Sequence, residues 1–270
     1  MTSSTTDTTI ESFTTSELIA VLLARDLADG EKAIIGTNSD IQLAACNLAR
    51  LMQAPRLWWV SGPGGMVNPT RDHLISTADY ENIETAEAWI DLPNMIDLID
   101  WKIHFFDFAI LSALQIDCYG NINTVVVGDP RKPRLRGPGT VGISALCGLS
   151  RRFYAFATRH DRGAFVRRVD FLCGPGHMDG HDSREAMGLP PGGPKFVISP
   201  LGVFDFHPTT KQMRVASLNP GVTIEQVRDS TGFDLLVEGE PPITTTPSAM
   251  ELQLLRTRVD RYGKLRGKRA

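Results

Sequence analysis

Cysteine is scarce in this sequence, and no two cysteines stand close together along the chain. The 270 residues include only Cys46, Cys118, Cys147 and Cys173, without a Cys-x-x-Cys pair. Zinc fingers and disulfide frameworks require closely spaced or numerous cysteines, so the sequence predicts neither. Free thiols of this kind are typical of a reducing compartment, and we expect a soluble, cytoplasmic protein.

A strong net charge and a long apolar run are also missing. The formal net charge is −3, and no uninterrupted hydrophobic stretch reaches membrane-spanning length. The sequence therefore predicts no membrane segment and no general affinity for nucleic acid. Residues 256–269 are strongly basic, and for them a solvated terminal helix is favoured over a phosphate-binding role.

The N-terminal residues 1–13 are polar, rich in Thr and Ser, and lack the apolar core of a signal peptide. We expect a disordered arm there, with Ser16 capping the first helix. No repeat or linker interrupts the remainder, which predicts a single domain over residues 14–270.

An alternation of strand and helix patterns defines the fold class. Residues 32–36 and 57–60 are apolar strand candidates, and residues 40–52 between them carry a helical apolar stripe. This order predicts an α/β fold with an open, mostly parallel sheet flanked by helices. Later segments predict strands at residues 153–157, 168–172 and 195–199, a hairpin at 202–218, a loop at 131–142 and helices at 223–230 and 250–262.

Two glycine-bearing turns are the first candidate binding elements. One follows the strand candidate at residues 57–60, and the other is the loop GPGTVG at residues 137–142. Ligands of open parallel sheets bind beyond the carboxyl ends of the strands, where free glycine amides can hold an oxyanion or a phosphate. The alternative is a plain tight turn. The candidate binding residues are Gly62, Gly64, Gly65, Met66, Pro138, Gly139 and Thr140.

Polar and basic side chains form a second set of candidates. Some interrupt apolar runs around a predicted turn at Gly120, and they either hold this turn together or contact the ligand. These are Gln115, Asp117, Asn121 and Asn123. Others precede GPGTVG and are suited to phosphates, to acidic groups of a partner, or simply to solvent. These are Arg131, Lys132, Arg134 and Arg136.

The segment HMDGHD invites a metal hypothesis, because His177, Asp179, His181 and Asp182 are all of metal-ligand type. The glycines around it argue against a helix that would align two ligands, so we expect no metal here. Residues 174–194 are interpreted instead as an irregular lid or partner-contact loop.

Four segments in order resemble the β subunits of family I CoA-transferases, of the glutaconate CoA-transferase type. They are residues 35–56, LQIDCYGNIN at 114–123, GPGTVG at 137–142, and residues 197–233 with SPLGVFDF, LNPGVTIEQV and TGF. The stretches VDFLCGPG and FDFHPTTKQMRVASLNPG look nearer to the β subunits of cholesterol ring-cleaving hydrolases. The resemblance implies the NagB/RpiA/CoA-transferase-like fold, an α-type partner in an αβ or α2β2 complex, and an acyl-CoA substrate. It implies no permanently bound cofactor, since coenzyme A enters as part of the substrate.

The resemblance also places a glutamate nucleophile directly after the strand LWWV in true transferases. Here no acid lies between Arg56 and Arg71, and Ser61 is the remaining nucleophile candidate, without a neighbouring base. This departure favours hydrolytic opening of a cyclic diketone acyl-CoA, as in steroid-like catabolism, with the acid or base supplied by the partner. The alternatives are CoA transfer through a displaced carboxylate, Glu81 or Glu84, and a non-catalytic scaffold.

Overall fold

A computed structural model describes residues 12–37, 39–100 and 102–267 of the chain. The predicted arm at residues 1–13 lies almost wholly outside them. The helices are α1 (Thr15–Asp26), α2 (Asp40–Met52), α3 (Leu92–Asp100), α4 (Ile143–Leu149), α5 (Ser183–Ala186), α6 (Ile224–Ser230) and α7 (Ala249–Leu254). Single helical turns of other types lie at Tyr80–Glu84, Leu255–Val259 and Lys264–Arg266.

The strands follow the α/β order that the sequence predicts. They are β1 (Lys32–Ile35), β2 (Trp58–Ser61), β3 (Met66–Val67), β4 (Ala88–Trp89), β5 (Phe108–Ser112), β6 (Gln115–Asp117), β7 (Ile122–Asn123), β8 (Val126–Asp129), β9 (Lys132–Arg136), β10 (Arg152–Phe156), β11 (Phe165–Val166), β12 (Pro194–Ile198), β13 (Gly202–Phe206) and β14 (Met213–Leu218).

Within the described residues, nine strands form the main sheet in the order β14-β13-β12-β10-β5-β1-β2-β3-β4. The central strands β12, β10, β5, β1 and β2 pair in parallel, and an antiparallel hairpin extends the sheet at each side. The predicted open sheet with a parallel centre is confirmed. Helices pack on both of its faces, α1 and α2 in one apolar core and α3 and α4 in the other.

Alternating side chains of the central strands supply two apolar cores, one on each face of the sheet. In β5, Phe108 and Ile110 join the core with α1 and α2, whereas Ala109 joins the core with α3 and α4. Successive strand residues point to opposite faces, so a parallel sheet buried on both sides reads as a continuous apolar run. This explains why the short apolar segments of the sequence are strands.

The observed N-cap residue agrees with the prediction from the sequence for one helix and differs from it for another. Thr223 caps α6 with Gln226 in a reciprocal capping box, as its spacing predicts. The predicted cap Ser16 is wrong, because α1 begins after Thr14. The Thr14 hydroxyl accepts the Glu17 amide N–H at 3.2 Å, and the Glu17 carboxylate accepts the Thr14 N–H at 2.9 Å. Ser16 therefore lies inside the first turn.

Three further expectations need correction. Residues 131–142 are not one loop, because Lys132–Arg136 pairs with Val126–Asp129 as an antiparallel hairpin. Residues 168–172 form no strand, and the Asp170 amide donates instead to the side chain of Gln115, at 3.0 Å from Oε1. The terminal helix ends at Val259 through a wider turn rather than continuing to residue 262.

The loop at residues 174–194 is irregular as predicted, apart from α5, but a buried arginine holds it in place. Arg184 is 1% exposed. Its guanidinium donates to the carbonyl oxygens of five residues. These are Cys147, Gly148, Pro175, Gly176 and Pro190. A buried cation needs such partners, and the bonds tie the loop to the end of α4. The interpretation of this segment as a lid therefore finds no support in its packing.

Candidate functional site

Parallel pairing brings the carboxyl ends of five strands to one edge of the sheet. The register aligns Ile35 of β1 with Ser61 of β2, and β5, β10 and β12 end in the same direction. The glycine turn follows β2, and the hairpin of β6 and β7 follows β5. Since β1 alone separates β2 from β5, the ends of these two strands are roughly 10 Å apart at the usual strand spacing. The predicted candidates thus collect along one edge.

The turn after β2 uses its own amide groups, contrary to the expectation of free donors there. The Gly62 N–H donates to Ile35 O at 2.9 Å, and the Gly65 N–H donates to Ser61 O at 2.7 Å. The Gly64 N–H donates to Ser61 Oγ at 3.0 Å. Pro63 has no amide hydrogen. The amides of this turn therefore all have partners within the protein, and these residues offer no backbone donor to a ligand.

The Ser61 side chain is likewise hydrogen-bonded within the protein. Its side chain is fully buried, and its hydroxyl donates to Thr77 O at 2.6 Å while accepting the Gly64 amide. No acid or base contacts this hydroxyl among the described residues. Activation of a serine nucleophile requires a base within hydrogen-bond reach, so the geometry gives Ser61 a structural role.

The displaced carboxylates proposed for CoA transfer face an arginine instead of the glycine turn. Glu84 Oε2 lies 3.0 Å from Arg71 Nη2, and Glu81 Oε2 lies 3.9 Å from Arg71 Nη1. Both side chains are largely exposed. Their contacts place neither carboxylate at the position where the family resemblance implies a nucleophile.

The β6–β7 hairpin carries two closed polar networks, and the first joins Gln115, Asn123 and Asp170. Gln115 donates to Asp170 Oδ2 at 3.0 Å, and Asn123 Nδ2 donates to Gln115 Oε1 at 2.8 Å. The Asp170 carboxylate also accepts the Gly128 amide at 2.7 Å. Gln115 and Asn123 are buried, so these bonds supply the partners that buried polar groups require.

The second network centres on Asp117 and Asn121. Asp117 Oδ1 accepts the backbone amides of Tyr119 and Asn121, and the Asn121 side chain donates to both carboxylate oxygens. Asn121 Oδ1 accepts the Gly176 amide at 2.8 Å, which fixes the irregular loop against the hairpin. Burial raises the pKa of Asp117 to about 6, against the lowering effect of these hydrogen bonds. Of the two alternatives for these residues, the contacts support the one that holds the turn together.

Open donors occur instead in the loop that ends the β8–β9 hairpin. Gly137 and Gly139 donate to Val125 O and Thr124 O, and Thr124 Oγ1 donates to Gly139 O at 2.6 Å. Beyond this anchor, the amides at positions 140, 141 and 142 donate to no other described atom. Gly139 has φ +102° with open space around its α carbon, and the Val141 side chain is 95% exposed. The loop therefore presents consecutive amides to the outside.

A positively charged hairpin stands beside these amides. The four basic residues that the sequence assigns to phosphates, to acidic groups of a partner, or simply to solvent lie on β9 or in the turn before it, and all four are exposed. They are Arg131, Lys132, Arg134 and Arg136. Basic side chains on the hairpin and open amides in the loop that follows it are together suited to an anionic ligand with several charges.

The HMDGHD segment forms no metal cluster in the part of the chain that the structure describes. His177 packs edge-on against Phe206, and burial lowers its pKa to about 4. His181 is exposed with φ +47°. The two histidines therefore occupy different environments instead of converging.

A hydrogen-bonded histidine that the sequence motifs did not predict lies at the same edge. His160 follows β10 and Ser199 follows β12, with 2.7 Å between His160 Nδ1 and Ser199 Oγ. His160 Nε2 lies 3.0 Å from Thr231 Oγ1, whose hydroxyl already donates to Val227 O, so Nε2 carries the proton. The ring stacks on Phe165 at 3.6 Å. In the sequence, the signal for this pair was a polar residue at or just after the end of each of two strand candidates, residues 153–157 and 195–199.

An open parallel sheet with candidate binding residues at its carboxyl edge defines the class of α/β protein. Comparison with known proteins identifies the family. The family model described as coenzyme A transferase matches residues 16–230. The chain belongs to this family, and the resemblance stated from its motifs is confirmed.

Individual relatives agree with this assignment. The chain is 34% identical to the B-type subunit of the 3-oxoadipate CoA-transferase of Pseudomonas knackmussii, over 92% of this chain and 94% of that protein. It is 29% identical to the IpdB subunit of the cholesterol ring-cleaving hydrolase of Mycobacterium bovis, over 92% and 95%. The glutaconate coenzyme A-transferase of Acidaminococcus fermentans shares the fold, with a TM-score of 0.84 at 24% identity over 94% of this chain and 97% of that one.

We expect Gly65→Ala to destabilise the chain strongly. A Cβ at this position would lie 1.8 Å from Ile90 O, in a backbone conformation with φ +68°. The clash meets backbone and cannot relax cheaply, so a loss of about 3 kcal/mol or more is expected in urea unfolding. Gly30→Ala is the matched control, because φ is +79° there but nothing lies within 4 Å. Equal losses in both variants would contradict the close-packing argument.

The stability of the fold should fall as the pH decreases from about 6.5 toward 4. Burial lowers the pKa of His160 from its ordinary value of 6.5 to about 4, so the unfolded chain takes up this proton first. His177 acts in the same direction. Asp117, with its raised pKa, opposes both because the folded state protonates it first.

His160→Asn should therefore flatten the pH dependence of the unfolding free energy by up to about 1.4 kcal/mol per pH unit within this window. Urea titrations at a series of pH values measure the slope. His181→Asn is the control, since this exposed residue has a positive φ that Asn tolerates. An unchanged slope in His160→Asn would show that this histidine is not held neutral.

Proposed function

We propose that this chain is the B-type component of a heteromeric enzyme that acts on acyl-CoA thioesters by hydrolytic carbon–carbon cleavage of a cyclic diketone acyl-CoA. One observation carries the choice of reaction. The turn after β2, where the resemblance implies a glutamate nucleophile in transferases, holds no carboxylate in residues 57–70. Its hydroxyl and amide groups are also bonded within the frame. This turn therefore lacks the carboxylate that the resemblance implies for CoA transfer.

In this proposal the chain binds and orients the substrate. The open amides at residues 140–142 are suited to an oxyanion, which preorganised donors stabilise more in the transition state than in the ground state. The basic hairpin is suited to the phosphates of the CoA portion. Binding energy from this remote handle positions the ring for attack by water. The general acid or base comes from the partner subunit.

The partner is an α-type subunit of the same family, in an αβ or α2β2 complex. Support comes from the names of the relatives, which are B-type or IpdB subunits of larger enzymes. The four cysteines are free, which supports a reducing, cytoplasmic location. No described helix combines the length and apolar character needed to span a bilayer.

CoA transfer is the second candidate, and the 34% identity to one subunit of a 3-oxoadipate CoA-transferase favours it. A transferase forms a glutamyl-CoA thioester, which hydroxylamine or borohydride traps, whereas the hydrolytic enzyme forms no such adduct. Trapping therefore separates the two reactions in the assembled complex. A non-catalytic scaffold is the third possibility and is tested with the loop variant below.

The complex of this chain with its α-type subunit should open cyclic diketone acyl-CoA substrates without exchanging CoA between carboxylic acids. Product formation followed by mass spectrometry, in parallel with acetate and succinate exchange, measures both activities. Gly139→Ala strains the donor loop at φ +102° and should reduce kcat by about tenfold or more with the fold intact. Exchange without ring opening would contradict the proposed reaction, and full activity of Gly139→Ala would support the scaffold.

Removal of charge from the basic hairpin should weaken substrate binding but not the chemical step. Lys132→Ala with Arg134→Ala is expected to raise KM for an acyl-CoA about tenfold, because each lost phosphate contact removes a charge-assisted hydrogen bond. The same acyl group on pantetheine, which lacks the nucleotide phosphates, should show no change. Arg56→Ala is the control, since Arg56 precedes β2 at the opposite edge. Equal KM effects on both substrates would exclude phosphate recognition.

A further inference from the structure

Residues 79–100, named here the acidic segment, have an unusual composition. They contain seven Asp or Glu residues and no Lys, Arg or His. Arg71 pairs with Glu81 and Glu84, and Arg50 pairs with Glu87, which leaves four carboxylates of the segment without an ion pair to another described residue. The segment comprises the helical turn at Tyr80–Glu84, the edge strand β4 and the helix α3. None of these elements is used in the binding roles proposed above, yet they border the site.

The acidic segment is joined directly to the glycine turn after β2. Trp89 Nε1 donates to Gly64 O at 2.9 Å, and the Ile90 amide donates to Gly65 O at 2.8 Å. β4 is the last strand of the main sheet on this side, and no further described strand covers it. A body that docks on the segment would therefore lie beside the glycine turn.

Large apolar side chains of the acidic segment point outward. In α3, Met95 and Ile99 are buried in the core, whereas Leu92 is 64% and Ile96 44% exposed, one helical turn apart. Tyr80, Ile83 and Trp89 are also exposed, at 82%, 46% and 62%. A surface helix buries one apolar stripe, and a second exposed stripe beside other exposed aromatics indicates a surface that another molecule covers.

The charges indicate what kind of molecule this is. Asp97 and Asp100 lie in the last turn of α3, where the helix dipole is negative and carboxylates are unfavourable. No basic residue occupies that turn, and neither carboxylate forms an ion pair with another described residue. Cationic side chains of a docked partner would offset the unfavourable interaction of these two carboxylates with the helix dipole. A second copy of the chain is disfavoured, because its own acidic segment would add like charge.

We propose that the acidic segment is the docking surface for the α-type subunit, and that the matching surface of that subunit carries Lys or Arg around apolar side chains. This inference rests on the proposed heteromeric function. It adds where the partner binds and with what chemistry. Docking here would bring the partner to the glycine turn, next to the position that lacks a carboxylate in this chain.

The test measures the dissociation constant of the complex formed by the purified chain and its co-purifying α-type subunit. Leu92→Ser with Ile96→Ser should weaken association about tenfold or more, since both remove apolar contacts from the interface. Ile243→Ser with Met250→Ser is the matched control, at 60% and 67% exposure away from the acidic segment. Asp97→Lys should weaken association and reduce its salt dependence, whereas Glu240→Lys should not.

Hydrogen exchange on the assembled complex locates the surface independently of any variant. Amides of residues 79–100 should gain protection on assembly. A complex that forms without this protection, and with unchanged affinity in the variants, would overturn the docking surface while leaving the heteromeric function intact. Failure to form any complex would overturn the proposed function itself. Self-association of the chain through residues 79–100 would assign the surface to a second copy and refute the proposal.

Discussion

The parallel register of five central strands is the constraint on which the site depends. Both faces of this part of the sheet are covered by helices and apolar cores, so polar groups reach a ligand only beyond the strand ends. The turn after β2, the hairpin after β5 and His160 after β10 therefore share one edge. Their proximity follows from strand order and direction, not from nearness in the chain.

Along that edge, most polar groups stabilise the frame and few remain open. Asp117 and Asn121 satisfy each other and the irregular loop, and the amides of the first glycine turn close on Ser61 and Ile35. Saturated networks of this kind rigidify a structure but cannot bind a ligand without breaking. The exposed amides after Gly139 are thus the ones that remain free to bind a ligand, in a loop anchored by Thr124.

Two surfaces of opposite charge border the edge. The basic hairpin of β8 and β9 is suited to an anionic ligand, while the acidic segment is suited to a basic protein surface. This separation fits a subunit that binds the substrate at one place and its partner at another. It also fits a turn after β2 without a carboxylate, because in the proposed complex a second chain docked beside that turn would be positioned to supply the catalytic group.

The sequence by itself determined the β-α-β order, the helix at residues 40–52, the Thr223 cap and the family, since these depend on local periodicity, capping and ordered motifs. The tertiary structure alone decided that residues 168–172 form no strand and that the Asp170 amide donates to the Gln115 side chain instead. It also decided which glycine loop keeps free amides and that His160 meets Ser199. These outcomes depend on partners distant in the chain, which no local pattern records.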